Sequence, residues 1–208
     1  MTSVADTPKG LIRQANEALI LSAAERVFAR AGFGGATMAA IAEASGLPKA
    51  NLHYYFGSKE VLYRAVLARI LSDWLVPAHG ITVDADPRTA LTNYIRAKME
   101  LSAQRPDGSK VWANELLHGA PVVKELLAND LRQLTLEKAA VVQAWADAGR
   151  IAPVDGVHLF FTIWAATQTY ADFDVQICAV MDQNSLGEQD FERSTRHLVS
   201  FILRGCGL

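Results

Sequence analysis

TMAAIAEASGLPKANLHYYFGSK, residues 37–59, reads as two short helices joined by a tight turn. Thr37 is placed to cap the first, because its hydroxyl can accept from an unpaired N–H of the opening helical turn. Ala40, Ile41 and Ala44 give that helix a small apolar face. Gly46 ends it, since glycine alone enters the left-handed conformation of a helix stop without steric cost. Pro48 suits the first position of the second helix, where a missing N–H costs nothing. There Leu52, Tyr55 and Phe56 fall on the inner side, and Lys49, Ala50, His53 and Tyr54 on the outer. A short helix, a glycine turn and a second helix with cationic and aromatic outward residues describe a helix-turn-helix. An ordinary helical hairpin has the same spacing, and spacing alone leaves both open.

Working outward, Ile20, Ala23, Ala24, Val27 and Phe28 recur at helical spacing over 11–31. Gly32 stops that helix, Phe33 packs back as an apolar anchor, and Arg26 and Arg30 lie on the solvated side. Residues 1 to about 10 read as irregular, with Pro8 and Gly10 opposing a helix. Downstream, Ser58 caps a fourth helix that runs through Leu62, Val66, Ile70, Trp74 and Leu75 to a stop at Pro77. A loop over 79–85 leads to Asp86-Pro87, cap and first residue of a fifth helix ending near Gln104. Arg105-Pro106-Asp107-Gly108 reads as a turn before a helix over 109–118. A long helix over 122–148 ends at Gly149, Asp155 caps an apolar helix through Met181, and Gly187 precedes the last, which ends near Arg204. No strand-like alternation persists, so the fold class is all-α, with nine helices. The domain boundary falls near Lys59: a helix-turn-helix domain over 11–58 and a larger helical domain over 59–208.

Half of the 208 residues are hydrophobic, and the net charge is −2. That balance and length describe a soluble globular protein with a substantial core. The charge is uneven, with eight Lys and Arg against five Asp and Glu through Arg69, and 12 against 17 beyond. A basic N-terminal third on an acidic body suits a DNA reader with a separate regulatory body. No apolar run is long enough for a transmembrane helix. MTSVADTPKG lacks the apolar core of a signal peptide. Cys178 and Cys206 lie far apart with no metal-ligand spacing, as expected of reduced thiols in a cytoplasmic protein. No cofactor or metal site is expected.

The N-terminal third resembles the TetR family of bacterial repressors. The resemblance rests on Ala23 and Phe28, Gly32-Phe33, Thr37, Ile41-Ala42, Gly46, Leu52, Tyr54-Tyr55-Phe56 and Ser58-Lys59-Glu60. It implies a homodimer with two reading heads and an inducer pocket in the larger domain. Beyond the head, the chain is similar to the RutR-type branch of that family, regulators of pyrimidine utilisation that respond to uracil and thymine. Asn51-Leu52, Trp74-Leu75 with Pro77, Tyr94-Ile95-Arg96 with Lys98, Glu115, Gly119-Ala120-Pro121, Glu137-Lys138 and Trp145 carry this. The densest part is Ile163-Trp164-Ala165, Thr167-Gln168, Tyr170-Ala171-Asp172-Phe173 and Val175-Gln176. Two departures stand out. The basic tail holds only Lys9 and Arg13, which gives little phosphate anchoring, and Pro48, Ala50 and His53 differ from the branch's pattern on the reading helix, so a different operator sequence is expected.

For DNA, the second helix of the motif enters the major groove, and a dimer covers two inverted half-sites of a palindromic operator. The DNA-contacting residues are Thr37, Pro48, Lys49, Ala50, His53, Tyr54 and Lys59. Lys49 can donate to guanine acceptors or phosphate, and Ala50 allows close approach to a thymine methyl. His53 is placed to reach a base edge or simply to be solvated. Thr37, Tyr54 and Lys59 hold phosphates, which set register without reading sequence.

For the effector, Lys98 interrupts the apolar stripe of Leu91, Ile95 and Met99, and Gln168 sits in a helix apolar almost all round. An unpaired buried polar group costs about 1–3 kcal/mol, so each needs a partner. The Gln168 amide has donor and acceptor side by side, matching the N–H and C=O edge of a pyrimidine lactam. Lys98 can donate to the other ring carbonyl, and Trp74 or Trp164 can cover the flat face. Alternatively Lys98 pairs with Glu115 or Asp172, and Gln168 bonds across the dimer seam. The resemblance carries the effector site onto Trp74, Lys98, Glu115, Trp164, Thr167, Gln168, Tyr170 and Asp172. It also carries the dimer seam onto the last two helices, where Phe191, Leu198, Ile202 and Leu203 are the apolar candidates. The expected function is a repressor released from its operator by uracil or thymine; a different small aromatic or heterocyclic effector is the alternative.

An enzyme is disfavoured. Asp172 and Asp174 point to different sides of a helix, and His79, His118 and His158 are scattered without triad or metal spacing. A scaffold without DNA binding is opposed by the basic head.

Overall fold

A computed structural model describes residues 8–208. The readings of an irregular start and of a missing signal peptide bear mainly on residues 1–7, which lie outside it. Among the described residues the chain is helical, without strands. Its elements are α1 (Pro8–Gly35), α2 (Met38–Ser45), α3 (Lys49–Phe56), α4 (Lys59–Leu75), a 3-10 turn (Val76–Gly80), α5 (Pro87–Gln104) and α6 (Pro106–Leu117). Then follow α7 (Lys124–Leu126), a π-helical turn (Leu127–Leu131), α8 (Arg132–Asp147), α9 (Gly156–Asp172), α10 (Asp174–Val180) and α11 (Glu188–Gly205).

Five starts and stops follow from local chemistry. Thr37 Oγ1 accepts from the Ala40 N–H at 3.1 Å, and Gly46 takes the left-handed conformation (φ 69°). Ser58 Oγ accepts from the Val61 N–H, Asp86 from Thr89 and Asp155 from His158. Four details differ from expectation. Helix α1 begins at Pro8 rather than after Gly10, since proline fits a first helical turn, and its true break is Gly32 (φ 64°, ψ 174°). Pro48 is the cap of α3 and not its first residue, because its ψ of 141° is extended. Pro106 opens α6, so the expected turn is that helix's first turn. The helices expected over 122–148 and from Asp155 to Met181 are interrupted, the first by the π turn and the second at Phe173 (φ −122°, ψ 34°). At the second break the Asp174 carboxylate accepts from the Val175 N–H, a local bond that competes with helix propagation.

The chain packs as two compact units, one of residues up to Ile70 with Lys110–Val123, the other of Leu71–Ser109 with Lys124–Leu208. The division falls within α4 and within α6. The first unit is centred on Ile20, Phe28, Ile41, Leu52, Leu62 and Leu67, all buried. Phe28, Phe33 and Tyr63 form an aromatic triangle with ring centroids 4.8–6.3 Å apart. Phe33 is thus the anchor its position suggested. In the second unit, Leu91, Tyr94, Ile95, Trp145, Phe160, Ile163, Leu198 and Ile202 belong to one core in which α5 packs on α9 and α11. Leu198, Ile202 and Leu203 are buried in that core, which corrects their assignment to the dimer seam. The exposed apolar side chains on the same helices are Phe161 and Phe201. No helix among the described residues is long and apolar enough to cross a membrane.

Candidate functional site

The outward face of α3 is as the helical period requires. Pro48, Lys49, Ala50, His53 and Tyr54 are exposed, Leu52 is fully buried, and Tyr55 and Phe56 are half-buried. Tyr55 is held from behind, its hydroxyl accepting from Asn16 Nδ2 of α1 at 3.2 Å, and its ring meets the exposed Tyr54 edge-on. The His53 ring is fixed as well: Nδ1 lies 2.9 Å from the Gly57 carbonyl. Thr37 spends an oxygen lone pair on its cap but keeps an O–H to donate outward. Lys59 is more committed, its ammonium donating to the carbonyls of Phe33 (2.8 Å) and Ala36 (3.0 Å) and lying 4.4 Å from the Phe33 ring centroid. Of the flanking cations, Arg13 pairs with Glu17 at 2.9 Å, Arg26 donates to the Ala44 carbonyl, and the Lys9 side chain is outside the described ones.

In the second unit the structure brings Trp74, Lys98 and Asp172 together. Lys98 is 4 % exposed, and its Nζ lies 4.3 Å from the centroid of the Trp74 ring, a cation–π contact. Burial pushes the Lys98 ammonium down to about 7, against the opposing pull of Asp172. On α9, Gln168 is half-buried and its amide makes no hydrogen bond to the described residues. Its neighbours are spoken for. Thr167 Oγ1 donates to the Ile163 carbonyl at 2.8 Å, and the Thr167 carbonyl accepts from Ser102. Trp164 Nε1 donates to the Tyr94 hydroxyl at 2.7 Å while its ring packs on Phe160 and Phe161. Tyr170 instead lines an open cavity of about 490 Å³ with Ser102, Cys178 and Phe191. Glu115 belongs to the first unit, where its carboxylate accepts from the Tyr63 hydroxyl (3.1 Å) and the N–H groups of Val122 (2.6 Å) and Val123 (3.3 Å).

Residues 20–66 match the family described as bacterial regulatory proteins, tetR family, and residues 67–208 match the C-terminal region of YcdC-like proteins. The chain belongs to the TetR family. The HTH-type transcriptional regulator RutR of Escherichia coli K12 is 42 % identical over 191 residues, 92 % of this chain and 90 % of that protein. Among solved structures, the ketosteroid transcriptional regulator KstR2 of Mycobacterium tuberculosis matches with a TM-score of 0.72 at 17 % identity, over 91 % of this chain and 94 % of that one. AibR, solved with isovaleryl coenzyme A and operator DNA, matches with a TM-score of 0.65 at 18 % identity, over 90 % and 98 %.

This TetR-family chain is a DNA-binding transcriptional regulator similar to RutR, and its relatives are regulators, not enzymes. Regulators of the family bind operator DNA and small-molecule effectors and act as dimers. The first division between its two compact units, after Ile70, falls four residues beyond the point where the two family regions meet, while Lys110–Val123 of the second region joins the first unit. Some polar positions around the cluster of Trp74, Lys98 and Asp172 escaped the sequence reading. Ser102 continues the buried stripe of Leu91, Ile95 and Lys98, so the criterion that selected Lys98 could have found it. Asp73, which forms an ion pair with Arg105, carried no such signal.

Proposed function

We propose that this TetR-family regulator represses genes of pyrimidine utilisation: a ligand-free homodimer holds a palindromic operator, and uracil or thymine releases it. The observation that carries the reading is the buried Lys98 beneath the Trp74 indole, on a unit whose α9 offers the uncommitted Gln168 amide. Desolvating an ammonium is unfavourable unless something of complementary polarity meets it. A planar lactam supplies a face for Trp74, an N–H and C=O edge for Gln168 and a second carbonyl for Lys98. The 42 % identity to RutR, spread over both family regions, supports the same effector class. Trp164 and Thr167 serve as the wall behind Gln168, and Asp172 sets the charge of Lys98. Tyr170 and Glu115 act in this reading by shaping their own surroundings.

On the DNA side, Lys49, Ala50 and His53 meet base edges, and Thr37, Pro48, Tyr54 and Lys59 border the phosphates. The exposed Phe161 (49 %) and Phe201 (64 %) of α9 and α11 support a seam between protomers on those helices. Release requires that effector bind more tightly to a dimer whose reading heads are wrongly spaced for two half-sites. Trp74 lies on α4, the helix that follows the reading helix in the chain, and transmits the change. The regulator works in the cytoplasm, where the operator is.

The test is a gel shift with DNA flanking the protein's own gene, with and without uracil. The expected result is a shift that uracil reverses. No shift at moderate salt would sink the repressor reading. A shift indifferent to uracil, thymine and their dihydro forms would leave the regulator standing and remove the pyrimidine.

A further inference from the structure

The His53 side chain is exposed on the outer face of α3, yet it is not a freely rotating imidazole. Its Nδ1 lies 2.9 Å from the Gly57 carbonyl, and its own carbonyl accepts from the Gly57 N–H at 3.0 Å. The two bonds clasp residue 53 to the residue that ends the helix. Gly57 reaches this geometry at φ 71°, ψ −61°, a backbone conformation that side-chain-bearing residues rarely adopt. A carbonyl oxygen accepts and never donates, so Nδ1 must carry the proton. The neutral ring then has its lone pair on Nε2, and Nε2 has no hydrogen-bond partner among the described residues.

From this clasp we infer that His53 is a specificity-determining residue that accepts, through Nε2, a hydrogen bond from an exocyclic amino group in the major groove. The groove offers such donors on adenine N6 and cytosine N4, whereas guanine presents acceptors and thymine an acceptor and a methyl. The pre-set ring loses little rotational freedom on docking, so a single contact is enough to bias the base chosen. Lys49, one turn earlier on the same face, has the opposite polarity, with three donors and no acceptor. The two side chains therefore ask for different partners, an amino group under residue 53 and a guanine edge or phosphate under residue 49. The inference rests on α3 being the helix that reads DNA.

The experiment is selection from duplexes with randomised positions, using the full-length wild-type protein and His53→Ala. Wild type is expected to prefer one base pair at one position of each half-site by about tenfold, and His53→Ala to lose that preference alone. In the selected duplex, exchanging that pair's adenine for purine, or its cytosine for 2-pyrimidinone, removes the major-groove amino group. The exchange should weaken wild type by about the same factor and leave His53→Ala unaffected. Equal loss in both proteins would overturn the inference. So would a His53-dependent preference that survives removal of the amino group, since the ring would then be reading the pair by another atom. Failure of wild type to select any sequence would instead remove the DNA-reading assignment, and this inference with it.

Discussion

On the reading helix, Lys49, His53 and Tyr54 stand in solvent, and the motif is oriented both by bonds within it, His53 to Gly57 and Thr37 to Ala40, and by bonds to α1, Tyr55 to Asn16 and Lys59 to Phe33. In the second unit, Lys98 is buried, and the groups that meet it come from α4 and α9, far from it in sequence. The first arrangement is complete before DNA arrives. In the second, burial lowers the Lys98 ammonium to about 7 against the pull of Asp172, so its charge depends on what else enters its surroundings. In the proposed regulator the reader stays constant and the response originates at the buried charge of the second unit.

The largest expected effect falls on the core that surrounds the second unit's buried charge. Trp145 is fully buried and donates to the Val83 carbonyl at 3.0 Å. Trp145→Ala should cost about 3–5 kcal/mol in chemical unfolding. Next, Gln168→Ala should leave operator affinity unchanged while raising the uracil needed for release by at least about tenfold, the scale of one buried hydrogen-bonding group lost. Fluorescence anisotropy of labelled operator reads both, and unchanged release would clear Gln168 of the role.

Lys98 sharpens the contrast through pH. Its folded value is lowered to about 7, while an unfolded lysine stays near 10.4. Between these values the unfolded chain holds the extra proton, so this group's contribution to stability rises with pH across the window. Urea unfolding at pH 7 and pH 9 should give wild type about 2 kcal/mol more gain than Lys98→Met. Equal gains would mean that Lys98 is charged and well paired. The smallest effect belongs to the head: Thr37→Ala should cost about 1 kcal/mol from the lost cap, with no change in the response to effector.

The contrast also governs what could be read from the sequence. The stops at Gly46 and the caps at Thr37, Asp86 and Asp155 were legible because cap and partner lie within three residues, so the chemistry is local. Lys98 was legible as the lone charge in an apolar stripe. Its contact with Trp74 was not, nor was the Trp164–Tyr94 bond across 70 positions, since no local pattern encodes a tertiary partner. Leu198, Ile202 and Leu203 were misassigned because an apolar stripe looks the same whether it faces its own core or another subunit. Pro106-Asp107-Gly108 has the composition of a turn, but proline at a first helical position served there as a start.

The placement of Lys59 has one more consequence. Its single ammonium ties the carbonyls of Phe33 and Ala36 to the first turn of α4, while its charge rests on the Phe33 ring. The end of α1, the residue before the Thr37 cap and the start of α4 thus share one fastening. These three segments are expected to open together rather than to fray singly, and hydrogen exchange of their amides would read this as one cooperative unit. Loosening that one fastening would then free both ends of the helix-turn-helix at once.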